Sequence, residues 1–155
     1  MAFLEIAIDS REIDAALQKL IAKGSDLSPA MLNIGEYMRG ETDANFVNQR
    51  SPDGSAFKFL NPKYAKQKEK RKGIRSILQF TGDLRSSIAY QLVDNGTGVA
   101  IGTNIKTPGG ALSLGAIHQF GAPRRNIPAR PFFVIIEENT VELVAIVEDY
   151  LGEDV

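Results

Sequence analysis

The sequence predicts an α+β fold with two or three N-terminal helices, a small, mostly antiparallel sheet of about four strands, and a C-terminal helix. Three observations lead to this class. Apolar residues recur at helical spacing near both ends of the chain. Strand-like apolar character marks four short runs, at residues 4–8, 88–93, 99–103 and 132–136. An Asn-Gly pair between the second and third runs is typical of a hairpin turn.

Composition limits the classes of protein to consider. The chain has 155 residues, the length of a single domain (residues 1–155), and its 43% hydrophobic and 24% charged residues are typical of soluble globular proteins. A formal net charge of −1 provides no overall field that attracts nucleic acid or membrane. The absence of cysteine excludes disulfides, thiolate metal sites and cysteine nucleophiles, and it fits a reducing compartment.

The sequence also lacks signals for a membrane. No window approaches the roughly 18 consecutive apolar residues that a membrane-spanning helix needs. The start of the chain has no basic region followed by an apolar run, which a signal peptide would show. We therefore expect a protein that is cytosolic when it is made and that has no membrane partner.

The first third of the chain carries signals for two helices. Asp9 and Glu12 resemble a capping box, and Gly24 is a stop signal for the helix that follows them. Ser28 and Pro29 then provide an N-cap and a proline at the first helical position. These signals predict the first two N-terminal helices.

Residues 48–75 are predicted to be an excursion made of a loop and a basic helix. A Pro-Asp-Gly turn lies in the loop, and Asn61 followed by Pro62 marks the helix start. Residues 58–75 contain eight basic residues and one acidic residue, Glu69. This run is either a solvated or flexible face, or a contact with an acidic partner surface or DNA through Lys63, Lys66, Lys68, Lys70, Arg71 and Lys72.

The middle of the chain predicts a short capped helix, a hairpin and a loop. Thr81 is placed to cap a helix over residues 82–87. Asn95 and Gly96 join the two strands of the hairpin. Residues 104–113, with Pro-Gly-Gly among them, are predicted to form a flexible loop.

Residues 114–133, which we call the connector, hold the densest set of residues that restrict the backbone. Two glycines permit positive φ, and three prolines each fix φ. The connector is therefore predicted to be an ordered loop that leaves a short helix and enters the strand at residues 132–136.

The closing helix is predicted to begin at an N-cap formed by Asn139 or Thr140. From Glu137 onward there are seven acids and no base. The acidic segment 137–154 and the basic segment 58–75 are a candidate complementary pair, which meets either between subunits or within one.

The sequence contains few candidate catalytic residues. His118, the single histidine, is the one general base whose ordinary pKa lies near neutrality. It is either a buried or interfacial residue that ties down the connector, or a catalytic or ligand-binding residue. No Gly-x-Ser-x-Gly motif, phosphate loop or set of further metal ligands accompanies it. We therefore expect a protein that is not an enzyme and that binds no metal or other cofactor.

Four blocks follow one another along the chain, and together they resemble a known family. They are Arg-Ser-Pro-Asp-Gly (50–54), Leu-x-x-Thr-Gly-x-Leu-x-x-Ser-Ile (78–88), Val-x-Ile-Gly-Thr-Asn (99–104), and Ala-Ile-His-Gln-Phe-Gly (116–121) leading to Ile-Pro-Ala-Arg-Pro-Phe (127–132). Over roughly residues 1–151 the sequence resembles the phage virion morphogenesis, or tail-completion, proteins of Mu-like phages and prophages. It departs from their pattern in a longer link between residues 104 and 116, and at Phe57, where the family often has tryptophan.

The resemblance implies a non-enzymatic assembly factor for tail completion at the head-proximal end of the tail, that is, a tail terminator needed for head–tail joining. It implies tail and neck proteins as partners and a homo-oligomeric ring, which is commonly hexameric in relatives. The expected location is the host bacterial cytoplasm during assembly, and the virion tail or neck if the protein is retained. A neck or head–tail connector ring protein is the alternative function.

Two further functions are more remote, a hydrolase built on His118 and a nucleic-acid-binding module that uses residues 58–75. Nucleic acid is not an expected partner, because Tyr64 alone lies among the bases for stacking unless Phe57 and Phe59 are exposed.

The resemblance, together with the stiffness of the connector, predicts that residues 118–133 and the loop at 104–113 contact other subunits or the tail tube. The family-motif and interface candidates are Gly115, His118, Gln119, Phe120, Gly121, Arg124, Arg125, Ile127, Pro128, Arg130, Pro131 and Phe132. The arginines are candidate polar anchors, because the guanidinium fork suits carboxylates and carbonyls. Two arrangements stay open for Arg130, a partner in another subunit or carbonyl groups inside its own.

Overall fold

A computed structural model describes residues 11–22 and 26–153. Their elements are α1 (Arg11–Ala22), α2 (Ser28–Asn48), α3 (Pro62–Lys72), α4 (Asp83–Ser86), β1 (Ala89–Val93), β2 (Gly98–Gly102), α5 (Leu114–Phe120) and α6 (Glu137–Glu153). The predicted α+β class is confirmed, with several helices and an antiparallel sheet of β1 and β2. No helix within these described ranges is long and apolar enough to cross a membrane.

The described residues do not show the predicted sheet of about four strands. The described residues contain a two-stranded sheet, and the predicted strand at residues 4–8 lies outside them. Residues 132–136 are not a strand. The backbone N–H groups of Phe132 and Phe133 donate to the side chain of Gln119, so a side chain takes the place that a neighbouring strand would occupy.

The described chain forms two compact units. Residues 41–88 and 102–134, which we call the connector unit, form one of them. The other, which we call the hairpin unit, consists of residues 11–22, 26–40, 89–101 and 135–153. Helix α2 belongs to both, and the prediction of a single domain stays a prediction.

In the hairpin unit, α1 packs against α6. Its buried apolar side chains are Ile13, Ala16, Leu27, Ala30, Met31, Ile34, Met38, Ile101, Leu143 and Val147. Helix α6 begins at Glu137, two positions before the earlier of the two predicted caps. Asn139 nevertheless stabilises the helix start, because its Oδ1 accepts the N–H of Ile136 at 3.0 Å, as the third helical residue does in a capping box.

The core of the connector unit centres on Phe46 and Phe132, whose ring centroids lie 5.1 Å apart at an interplanar angle of 40°. The predicted start of the basic helix is confirmed, since Asn61 Oδ1 accepts the N–H of Lys63 at 3.0 Å ahead of Pro62. At α4 the N-cap residue is Gly82 instead of the predicted Thr81.

Hydrogen bonds close the predicted flexible loop at residues 104–113. Thr107 N–H donates to the carbonyl of Leu112 at 2.9 Å, Gly110 N–H donates to the carbonyl of Thr107 at 2.8 Å, and Lys106 pairs with Ser113. The loop thus forms a closed turn directly before α5.

Candidate interaction site

The connector begins as a short helix and then turns back on itself. Ser113 caps α5 by accepting the N–H of Ala116 at 3.3 Å, which confirms the predicted short helix. Gly121 follows at φ 80°, and a Cβ placed there would lie 2.7 Å from the backbone nitrogen of Ala129. Ala122 and Ile127 exchange two backbone hydrogen bonds, at 2.8 and 3.2 Å, around a 3₁₀ turn. The turn therefore requires glycine at position 121.

Gln119 holds the second half of the connector. Its Oε1 accepts the N–H groups of Phe132 and Phe133 at 3.1 and 3.2 Å, and its Nε2 donates to the carbonyl of Phe133 at 2.6 Å. Gln119 is 4% exposed. Its amide group therefore supplies the hydrogen bonds that water would otherwise make to these three backbone groups. The extended segment is thus bound to α5 by one amide group.

Arg130 joins the connector to the loop before α3. Its backbone N–H donates to the carbonyl of His118 at 2.8 Å. Its guanidinium donates to the carbonyls of Lys58, at 2.6 Å, and Phe59, at 2.9 Å. Of the two arrangements open for Arg130, the structure shows the one inside its own chain, and a contact with another subunit stays a prediction.

His118 lies beside this junction with a desolvated ring. Its Nδ1 is buried and has no hydrogen-bond partner among the residues that the structure describes. Burial lowers the pKa of His118, and the nearby cations Arg130 and Lys68 lower it further. In the part of the chain that the structure describes, no hydrogen bond joins the ring to a serine or threonine hydroxyl. The arrangement favours a neutral imidazole packed against fixed cations.

Lys68 differs from the other lysines of α3 because its side chain is buried. Its Nζ donates to the carbonyl of Ser76, in the segment after the helix. Burial lowers the pKa of Lys68, and the charge of Arg130 adds to this effect. Lys68 therefore holds α3 against the unit.

A pocket of about 870 Å³ lies entirely within the connector unit. Lys68, His118 and Arg130 line it together with apolar and aromatic side chains, among them Leu60, Tyr64 and Phe80. Over residues 11–22 and 26–153, no group of three or more histidine, aspartate or glutamate residues is placed to hold a metal ion.

The comparison with known proteins identifies the family. The sequence profile described as the phage virion morphogenesis family matches residues 8–152, nearly the whole chain. The chain belongs to the phage virion morphogenesis family. Membership indicates a role in phage virion assembly and is consistent with a protein that is not an enzyme. No curated protein and no solved structure matches the chain.

The residues predicted as interface candidates of this family protein fall into three groups. Gly115, Gln119, Arg130 and Phe132 are buried, and His118, Gly121, Ile127, Pro128 and Pro131 are half-buried. The exposed ones are Phe120, Arg124 and Arg125. Of the predicted basic contacts, all except Lys68 are exposed, namely Lys63, Lys66, Lys70, Arg71 and Lys72.

The partners of Arg130 were not predicted from the sequence. The carbonyls of Lys58 and Phe59 carry no sequence signal, because every residue has a carbonyl group. The same is true of Ser76, whose carbonyl accepts a hydrogen bond from Lys68.

The free energy of unfolding is expected to fall as the pH drops below about 6.5, partly because of His118. Its pKa in the folded chain is below the ordinary 6.5, so the unfolded chain binds more protons in that window and is favoured by acid. His118→Gln should flatten the profile, and urea unfolding at about pH 7.5 and about pH 5.5 measures the difference. Parallel profiles for the two proteins would contradict the expectation.

Proposed function

We propose that this chain completes the phage tail at its head-proximal end and makes the tail competent to join the head. In this proposal it acts as a ring of identical subunits, with a hexamer as the expected order, and its partners are tail and neck proteins. It works in the host bacterial cytoplasm during assembly and stays at the tail or neck if it is retained.

The observation that carries the proposal is the fixed connector with its exposed anchors. Gln119 and Arg130 bind the connector from inside, while Phe120, at the end of α5, is 65% exposed. Arg124 and Arg125 are exposed on the 3₁₀ turn that follows. A loop that is ordered before binding loses little conformational entropy when it docks, and aromatic and arginine side chains are the usual anchors of protein interfaces.

A ring of identical subunits requires a heterologous interface, in which one patch of a subunit meets a different patch of its neighbour. In our proposal the exposed side of the connector supplies one patch of this kind or contacts the tail tube. Neither contact needs a catalytic group, which agrees with the neutral, desolvated state of His118.

Phe120→Asp is expected to reduce head–tail joining about tenfold or more while leaving the fold intact, because it places a charge at an exposed apolar anchor. Tails assembled without the protein are incubated with the purified variant and then with heads, and joined particles are counted by electron microscopy. Val141→Asp is the matched control, since Val141 is 69% exposed on α6 and should join as the wild type does.

Order of addition separates tail completion from a neck or connector function. If the protein completes tails, preincubation with tails promotes joining and preincubation with heads does not. Wild-type joining by Phe120→Asp, or activity that requires preincubation with heads, would reject the proposal.

A further inference from the structure

Helix α3 exposes a stripe of lysines on the side opposite its buried contact. Lys63, Lys66 and Lys70 are exposed, and they share one face because residues three and four apart are neighbours on a helix. Lys68 is buried and points the other way. The helix thus packs through Lys68 and leaves this set, which we call the lysine stripe, facing solvent.

Within residues 11–22 and 26–153, no acidic side chain pairs with the lysine stripe. Glu69 is the single acid of α3, and its Oε1 binds Nη2 of Arg75 at 2.6 Å. Among the described residues, no lysine of the stripe forms an ion pair. The stripe is therefore an uncompensated cationic surface on a protein whose net charge is −1.

Two exposed aromatic side chains lie close to the stripe in the sequence. Phe59 is 88% exposed just before α3, and Tyr64 is exposed on the helix itself. Arg130 holds the carbonyl of Phe59, so the ring stands on a fixed backbone. Phe57, in contrast, is buried. Of the two phenylalanines that the sequence offers for stacking, Phe59 is therefore the one that is exposed.

We propose that the lysine stripe and Phe59 bind a single strand of nucleic acid. Lysines that track the phosphates, together with aromatic rings on which unpaired bases stack, are the usual elements of such a site. An acidic protein surface fits less well, because lysine is depleted at protein interfaces whereas arginine is enriched. This surface uses none of the connector anchors Phe120, Arg124 and Arg125, so the proposal does not depend on tail completion.

The test measures binding of a fluorescently labelled single-stranded oligonucleotide by anisotropy over a range of salt concentrations. The wild type should bind at low salt and lose affinity steeply as salt increases, because bound phosphates release counterions. Lys66→Gln with Lys70→Gln should make the slope of log K against log salt shallower by about 1.4, since each phosphate contact on a single strand contributes about 0.7.

Two further variants complete the test. Arg11→Gln with Lys19→Gln removes the same charge from exposed positions of α1 and should bind as the wild type does. Phe59→Ala should bind about fivefold or more weakly with an unchanged salt slope, because it removes stacking and no charge. All these positions are exposed, so thermal unfolding should show intact folds.

Three results would overturn the proposal. One is the absence of binding at low salt, and another is an equal loss of affinity in the α1 control pair. The third is displacement of the oligonucleotide by polyglutamate combined with wild-type affinity of Phe59→Ala, which would assign the stripe to an acidic protein partner.

Discussion

Replacing Gln119 with alanine is expected to lower the free energy of unfolding by about 3–9 kcal/mol, because it leaves three buried backbone groups unpaired at about 1–3 kcal/mol each. Those groups are the N–H groups of Phe132 and Phe133 and the carbonyl of Phe133. A loss of this size is a large share of the roughly 5–15 kcal/mol that stabilises an ordinary domain. Urea unfolding, or failure to purify a folded protein, measures it.

Gln119→Glu keeps the prediction testable if the alanine variant does not fold. A carboxylate accepts both N–H groups but repels the carbonyl of Phe133, so its pKa in the folded state should be raised. Protonation restores the donor, and the deficit relative to the wild type should shrink as the pH falls toward about 4.3, the ordinary value for glutamate. A deficit independent of pH would contradict this role of Gln119.

Gln79→Ala is the matched control for Gln119→Ala. Gln79 donates one hydrogen bond, to the carbonyl of Phe46 at 3.0 Å, and is half-buried. Loss of this hydrogen bond should lower the free energy of unfolding by about 1 kcal/mol. If the two alanine variants lost equal stability, the claim that Gln119 organises the connector would fail.

Arg130→Ala should lower the free energy of unfolding by about 2–4 kcal/mol. Two charge-assisted hydrogen bonds, to Lys58 and Phe59, disappear. The loss is partly offset because a buried cation near Lys68 is removed, along with its repulsion. The free energy of unfolding of Arg130→Lys should lie between those of the wild type and Arg130→Ala, since an ammonium group cannot reproduce the guanidinium fork.

A second measurement separates the charge of Arg130 from its packing. Arg130 lowers the pKa of His118, so the His118 pKa followed by NMR in folded Arg130→Ala should rise toward its ordinary value. Arg130→Lys keeps the charge and should leave that pKa close to the wild-type value. Wild-type stability and an unchanged pKa in Arg130→Ala would show that the contacts of Arg130 have no energetic role.

Comparing the loss of head–tail joining with the loss of stability in each variant distinguishes residues that support the connector from residues that contact a partner. Gln119→Ala and Arg130→Ala should lose head–tail joining in proportion to their loss of folded protein. Phe120→Asp should lose joining with its stability intact. A folded Arg130→Ala that fails to join would give Arg130 the interface role that the sequence also allows.

Local signals were sufficient at the start of α3 and in the hairpin turn, where the capping or turn chemistry involves neighbours in the chain. Asn61 and Pro62 start α3, and Asn95 and Gly96 turn the hairpin at φ 56° and 88°. These features depend on side chains that bond to their own backbone within a few residues, or on residues that tolerate positive φ. The short helix α5 was likewise predicted from the sequence, whereas its cap at Ser113 was not.

Local signals failed where two distant segments compete for one backbone group. Residues 132–136 have the apolar character of a strand, but Gln119 takes the N–H groups that a strand partner would need. Lys68 is chemically equal to its neighbours in the basic run, and its burial depends on the carbonyl of Ser76. Nothing in either segment indicates which distant group it meets.

The sequence by itself determined the α+β class, the start of α3, the hairpin, the composition of the connector and the resemblance to the phage virion morphogenesis family. All of these depend on periodicity, on neighbours or on motifs in the chain. Tertiary structure alone decided that Gln119 and Arg130 point inward, that Lys68 is buried and that Phe59 and Phe120 are exposed. Those outcomes depend on which carbonyl and amide groups folding brings within hydrogen-bond distance, and such groups are identical in almost every residue.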